Sequence, residues 1–274
     1  MTSSPEMRDV DTSKAHSARM YDYYLGGTNH FAVDEEAAAK VARVWPAVMT
    51  CAQENRAYMH RVTRVLVREH GIRQWLDIGT GIPTEPNLHQ VAQSLAPEAR
   101  IVYVDHDPLV LTYAQTLVRS TPEGRIACVL ADFNDPEAIL NAPEVEQVLD
   151  LSEPVALSLN ALLHFVTDAQ DPYGTLNQLL DALPSGSVLT LSHSTADFDP
   201  ATWEKIVQIY YASGTPFRVR DKDEVTRFFD GLDLVEPGVE VVHRWRPDAG
   251  EAAEGRKERT DAEISLWGGV GIKR

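Results

Sequence analysis

Three short clusters place reactive side chains at the ends of apolar runs. Asp77-Ile78-Gly79-Thr80-Gly81 follows the run Gln74 to Leu76. Two glycines one residue apart let a chain turn tightly at a strand's carboxyl end and bring backbone N–H groups against a ligand, where a Cβ would stand in the way. In its context the turn reads as a small-molecule cradle; taken alone it is also a plain strand-to-helix turn. Pro83 and Thr84 stand where a dinucleotide fingerprint would continue to its third glycine, and Pro83 has no N–H, which argues against a pyrophosphate ligand. Asp105 ends a second apolar run, as an acid placed to accept both hydroxyls of a ribose. Asp107, followed by Pro108, has instead the signature of a helix N-cap, and His106 between them is a flanking contact or a surface residue. In Ala131-Asp132-Phe133-Asn134, Asp132 is suited to accept from an exocyclic amine and Phe133 to lie against a purine face. Alone, that loop is also an Asx-capped turn.

The elements that must carry these clusters follow from the hydrophobic pattern. RQWLDIGTG, RIVYVDHD, RIACVLADFND, VALSLNALLHF and SVLTLSHST are short apolar runs. Between them lie helical stretches over Glu85 to Leu95 and Pro108 to Ser120, one or two short helices within Glu137 to Leu149, and a helix over Pro172 to Leu183. This alternation predicts an α/β doubly wound, mostly parallel sheet covered on both faces, with ligands outside the carboxyl ends of its strands. Asp199 to Ala212 and Asp221 to Phe229 read as helices. GLDLVEPGVEVVHRW and ISLWGGVGIKR then lack a crossover helix between them, so they are expected to pair antiparallel. The charged stretch EAAEGRKERTD reads as a solvated loop.

Ahead of the first strand, order is expected from about Ser17, after a loose polar start. An aromatic segment leads to a Gly26-Gly27 break, a helix opens at Asp34, and a longer one runs from Ala47 to His70 with Gly71 as its stop. The expected organisation is a helical lid over residues 1–71 and an α/β domain over 72–274, forming a single compact unit.

Composition narrows the partners. The 274 residues carry 41 Asp+Glu against 25 Lys+Arg, a formal net charge of -16 that repels nucleic-acid phosphates and anionic lipid. A hydrophobic fraction of 43% excludes a disordered chain. Cys51 and Cys128 are too few for a disulfide framework, and no His or Cys cluster has ligand spacing, so no metal site is expected. MTSSPEMRDVDTSKAH lacks the pattern of a secretory signal, and no apolar stretch reaches membrane-spanning length. The expectation is a cytoplasmic protein without membrane or nucleic-acid partners; a homodimer is a general prior that no residue specifies.

Together the three clusters resemble the class I S-adenosylmethionine-dependent methyltransferases over residues 74–274. More specifically, ARMYDYYLGGTNHFAVDEE, QENRAYMHRV, WLDIGTGIPT, LLHFV and RWRPD are similar to a chiefly actinomycete subfamily of S-adenosyl methyltransferases, across nearly the whole chain. The resemblance implies a Rossmann-like, seven-stranded sheet completed by an antiparallel C-terminal hairpin. It implies S-adenosyl-L-methionine as cofactor, S-adenosyl-L-homocysteine as product and an undefined acceptor. Asp77, Gly79, Thr80 and Gly81 then form the first cofactor motif, Asp105 with His106 beside it meets the ribose, and Asp132 and Phe133 meet the adenine. The edge at Asn160 faces the reactive methyl, so Asn160 touches the methionine part, and His164 faces the acceptor as a candidate general base. Pro83 departs from the GxGxG of many class I enzymes.

The N-terminal segment supplies Tyr21, Tyr23, Tyr24, Gly26, Gly27, Asn29 and His30, either to close over cofactor or acceptor or to glue the helices down. Arg56 reaches the methionine carboxylate or stays on a solvated helix face. His193 is a weaker candidate, and Trp203, Tyr210 and Tyr211 form an acceptor wall or a buried helix face. The function expected is methyl transfer to a small-molecule acceptor by direct displacement at the sulfonium methyl, needing no metal; a magnesium-assisted catechol-type transfer stays open. The alternatives are a non-catalytic S-adenosylmethionine-binding or partner-assembly module and an NAD-dependent oxidoreductase. Pro83-Thr84 and the terminal hairpin argue against the oxidoreductase.

Overall fold

A computed structural model describes residues 13–248 and 259–274. Three helices come first: α1 (Ser17–Tyr24), α2 (Ala32–Val44) and α3 (Val48–Glu69). Strand and helix then alternate as β1 (Gln74–Ile78), α4 (Leu88–Leu95), β2 (Arg100–Asp105), α5 (Pro108–Leu117), β3 (Arg125–Leu130), α6 (Pro136–Leu140), α7 (Pro143–Val148), β4 (Ala156–Asn160), α8 (Pro172–Asp181) and β5 (Val188–Ser194). The chain finishes with α9 (Pro200–Ala212), α10 (Lys222–Thr226), β6 (Leu232–Leu234), β7 (Glu240–Val241), α11 (Asp261–Ile264) and β8 (Leu266–Lys273). The loose start and most of the charged stretch 251–261 lie outside the described residues.

An aspartate followed by proline opens α5, α6, α8 and α9. In each the carboxylate accepts a first-turn N–H while Pro occupies a position whose N–H needs no partner. Asp107 takes Leu109 N at 2.8 Å, Asp135 takes Ala138 N at 3.0 Å, Asp171 takes Gly174 N at 3.1 Å and Asp199 takes Thr202 N at 3.2 Å. Two helix starts differ from expectation. Asp34 sits inside α2, where its carboxylate accepts Phe31 N at 2.9 Å, and α4 begins after Asn87, which accepts Thr84 N at 3.0 Å.

β1 to β5 are parallel, in the order β3-β2-β1-β4-β5, and β8 and β6 extend the sheet antiparallel beyond β5. This is the expected seven-stranded path. The two-residue β7 also pairs with β8, because a turn through Pro237 and Gly238 splits the penultimate apolar run in two. Strands β4 and β5 are buried along nearly their whole length, as a sheet covered on both faces requires.

Of the segment expected as a lid, α3 is built into the main layer. Tyr58 Oη donates to Gly269 O at 2.8 Å, and Arg61 donates from Nε to Trp245 O at 3.1 Å and from Nη2 to Val242 O at 2.6 Å. This close seat needs Gly268, where a Cβ would come within 2.7 Å of Val242 and 2.9 Å of the Tyr58 ring. No helix among the described residues is long and apolar enough to cross a membrane.

Gly268→Ala should therefore lower the unfolding free energy by about 1–3 kcal/mol through overpacking. Urea unfolding measures it, and an unchanged midpoint would mean that α3 is not held against β8 as described.

Candidate functional site

The strand order reverses between β1 and β4, which leaves a crevice at their carboxyl ends. Gly79 (φ 74°) and Gly81 (φ 67°) carry the chain out of β1 in the left-handed region, and a Cβ on Gly79 would strike Leu162 at 2.6 Å. The turn's N–H groups are already spent within the protein. Gly79 N and Thr80 N donate to Val104 O at 2.8 and 3.2 Å, and Gly81 N donates to Asp105 Oδ2 at 2.9 Å. The glycines therefore give a ligand room rather than free donors, a correction to the expected cradle. Asp105 is 5% exposed and accepts Asp107 N through Oδ1 at 3.0 Å. Its oxygens keep further lone pairs for ligand hydroxyls. Burial pushes the Asp77 carboxyl up to about 6, aided by Asp105 and opposed by Ser158, Arg56 and Thr80.

The outer part of the crevice lies between the ends of β2 and β3 and the 213–216 loop. Asp132 is exposed there and its Oδ1 accepts Asn134 N at 2.9 Å, so the Asx turn is real; Phe133, beside it, is buried with one side on the cleft. Exposed His106 meets His16, a residue that the sequence reading missed. His16 Nε2 is 3.3 Å from His106 Nε2, and its Nδ1 is 3.3 Å from Asp107 Oδ2. Burial lowers the His16 pKa against the pull of Asp107. Nothing local in the sequence marks His16, which precedes α1 and reaches the site only through the tertiary fold.

The inner part opens beside Asn160. Its Nδ2 donates to Ser158 Oγ at 2.9 Å, while its Oδ1 is buried without a hydrogen-bond partner. Such an atom calls for a donor. The next residue, Ala161, holds φ 55° while its N–H donates to Ser192 Oγ at 2.9 Å. From there Ser192 Oγ donates to Asn55 Oδ1 at 2.6 Å, Asn55 Nδ2 donates to Tyr21 Oη at 3.0 Å, and Tyr21 Oη donates to Ala52 O at 3.2 Å. Burial pushes the Tyr21 phenol up to about 12. Arg56 Nη2 holds the loop beyond the glycine turn through Thr84 O and through Pro86 O at 2.7 Å. Arg56 is thus no solvated helix face: it lines the cavity, and the donors on its other nitrogens remain for an anionic group.

Several expected site residues do other work. Gly26 and Gly27 line neither part of the crevice. Gly26 closes α1 at φ 77°, and a Cβ on Gly27 would sit 2.1 Å from Asp22 Oδ1. Buried Asp22 gathers Asn29 N at 2.8 Å and His30 Nδ1 at 2.9 Å, and Tyr23 packs edge-on against His30, so this group fastens the turn. Tyr211 is 53% exposed, on the outer side of α9, and takes no part in an acceptor wall.

Tyr24, Trp203 and Tyr210 do line the inner cavity, joined by Trp45, Phe165 and Phe217. Trp45 and Trp203 lie 5.1 Å apart, Tyr210 and Phe217 4.6 Å. His164 also lines this chamber, stacked on Phe217 at 4.8 Å, with Nδ1 accepting Ser194 N at 3.4 Å. Burial, then His193 and Arg220, hold its imidazole neutral well below the usual range. That setting makes His164 less basic than an ordinary imidazole. His193 is sealed in: Nδ1 donates to Ser194 O at 2.8 Å, Nε2 accepts from Arg220 Nη1 at 2.9 Å, and burial with Arg220 pushes its pKa down to about 3. Arg220, also missed in the sequence, is 1% exposed and donates to Leu163 O at 2.9 Å, Val166 O at 3.0 Å and Asp168 Oδ1 at 2.7 Å. It braces the segment that carries His164 and Phe165.

The sequence profile of the S-adenosyl methyltransferase family matches residues 3–274. Among solved structures, a DUF574 family protein from Streptomyces avermitilis is 50% identical, with 96% of this chain and 99% of that one covered and a TM-score of 0.92. A proposed methyltransferase from Thermobifida fusca is 36% identical, with 96% and 97% covered and a TM-score of 0.86. An S-adenosylmethionine-dependent methyltransferase from Anabaena variabilis, at 13% identity, 78% and 84% coverage and a TM-score of 0.50, shares the fold. No curated protein matches the chain.

Asp77 supplies a pH test. The folded chain keeps its proton up to about pH 6, whereas the ordinary value is 3.8. Between these values the folded state binds more protons than the unfolded one, so this group's contribution to stability falls as pH rises. Urea unfolding at about pH 4.5 and about pH 7.5 should show Asp77→Asn gaining on the wild type at the higher pH. An equal difference at both would mean that Asp77 titrates normally.

Proposed function

The chain belongs to the S-adenosyl methyltransferase family, and from that premise we propose that it moves the methyl group of S-adenosyl-L-methionine to a small-molecule acceptor held in the aromatic chamber. One observation carries this reading. Gly79, Asp105, Leu162 and Phe165 line both the outer and the inner cavity, so a polar nucleoside-sized cleft runs directly into an apolar chamber.

Asp105 would take the ribose hydroxyls on its remaining lone pairs, with His106 and His16 beside it. Asp132 and Phe133 would border the adenine, and Gly79, Thr80 and Gly81 give the close approach. Asp77, Asn160, Arg56 and Tyr21 surround the position left for the methionine part, where the unpaired Asn160 Oδ1 and the spare Arg56 donors suit an ammonium and a carboxylate. When bound, the cofactor supplies a methyl group activated by its sulfonium, open to direct displacement. The chamber walls align the acceptor and keep water out, the kind of contribution that positioning makes to a bimolecular transfer. His164 forms part of those walls. The acceptor's heteroatom forms its bond to the methyl carbon as the carbon–sulfur bond breaks, S-adenosylhomocysteine leaves, and the proton of a hydroxyl or amine acceptor passes to solvent. Residues 1–71 serve as cover and 72–274 as the catalytic domain, with α3 fastened to the latter. A small molecule also suits the net charge of -16, which disfavours nucleic acid.

Calorimetric titration tests this reading. S-adenosylhomocysteine should bind the wild type and NADH should not, and Asp105→Ala with Asp132→Ala should weaken binding at least tenfold, about 1.4 kcal/mol. Wild-type affinity in the double variant, or binding of NADH alone, would remove the assignment.

A further inference from the structure

The inner chamber has a chemical character of its own. Its rings come from three distant parts of the chain: Tyr24 and Trp45 before the sheet, Phe165 after β4, and Trp203, Tyr210 and Phe217 in and after α9. The carboxylates lining this cavity are Asp77 and Asp105, both at the strand-end side, and its guanidinium is Arg56, which is tied to the loop beyond the glycine turn. The aromatic side therefore offers no countercharge. An ionised group placed there would lose its hydration without a partner, at a cost far above that of a neutral one.

Asn160 Oδ1 is an unpaired acceptor at the strand-end side, whereas the aromatic wall leaves donors over. Tyr24 Oη and Tyr210 Oη share a single hydrogen bond at 3.4 Å. Two hydroxyls have two protons, so one O–H is left to donate. Burial raises both phenols above their ordinary value and keeps those protons in place. Trp203, 3% exposed, has an indole N–H that is buried without a partner. An indole can only donate. Two unspent donors thus stand in an apolar, ring-lined wall, and an occupant that brought only carbon would leave them unsatisfied.

We propose that the chamber selects a neutral, planar aromatic acceptor bearing an oxygen or nitrogen that accepts a hydrogen bond from Trp203 or from the Tyr24–Tyr210 pair. This rests on the methyl-transfer reading above and adds the acceptor's class to it. Against walls built of rings, a flat guest can make the offset and edge contacts that stabilise aromatic pairs beyond area burial alone.

The test titrates protein saturated with S-adenosylhomocysteine against five probes on one frame. They are 2-naphthol, naphthalene without the heteroatom, anionic 2-naphthoate, cationic 2-naphthylmethylammonium and non-planar decahydro-2-naphthol. 2-Naphthol should bind at least tenfold tighter than each of the others, and Trp203→Phe, which keeps a ring and removes the N–H, should weaken it several-fold while leaving naphthalene unchanged. Tyr210→Phe provides the same comparison at the phenol pair if Trp203→Phe does not fold, and S-adenosylhomocysteine affinity reports folding in both. Equal or tighter binding of a charged or non-planar probe, or no binding of 2-naphthol beside normal S-adenosylhomocysteine binding, would overturn the acceptor class and leave the methyl-transfer reading standing. Failure of the wild type to bind S-adenosylhomocysteine would overturn both.

Discussion

One carboxylate organises the strand ends. Asp105 receives Gly81 N on one oxygen and Asp107 N on the other, so it ties the glycine turn leaving β1 to the helix start leaving β2. Bonds from N–H groups to a buried carboxylate are charge-assisted and stronger than neutral ones. With Val104 O taking the other two turn N–H groups, the loop is fixed before any ligand arrives. A pre-organised cleft loses less entropy on binding, which offsets the absence of free backbone donors.

The N-terminal helices follow the same principle with different acids. Asp34 is fully buried and accepts His16 N, Phe31 N and the Arg19 guanidinium, each within 3.0 Å. A buried ion pair is a weak source of stability by itself, but its extra backbone bonds fix where α1 and α2 meet. His16 is held by that cluster, so the geometry above Asp105 depends on Asp34. The Ser192–Asn55–Tyr21 chain makes an equivalent connection on the inner side. Cover and floor are joined through shared polar atoms, not through apolar contact alone.

Local chemistry was readable in the sequence wherever it depended on neighbours in the chain. Asp107-Pro108 announces a cap and is one; the apolar runs announce β1 to β5; the missing crossover announces antiparallel β8. Gly79 and Gly81 are legible as a turn, yet the bonding of their N–H groups depends on Val104 and Asp105 across the sheet. Gly26-Gly27 has the same composition but serves a carboxylate of its own helix, which spacing does not reveal. The chamber was hardest to read. Tyr24 meets Tyr210 across 186 positions, and Arg220 reaches His193 from outside any strand. No periodicity encodes such encounters, and Asn55, Ser192 and Arg220 look like ordinary polar residues until the sheet brings them together.

The clasp between α3 and β8 also orders events in time. Tyr58 and Gly269 are 211 positions apart, so an early helix docks on a strand that the ribosome makes much later. Until then Tyr58 and Arg61 lack the carbonyl groups of Val242, Trp245 and Gly269 that their side chains bind, although α3 already has α4 beside it. Folding of the N-terminal portion is therefore not completed during its own synthesis. Such long-range closure is slow, and the nascent chain presents sticky surface throughout the wait. The last strand made thus also finishes the seat of an early helix, the one that carries Asn55 and Arg56 into the crevice.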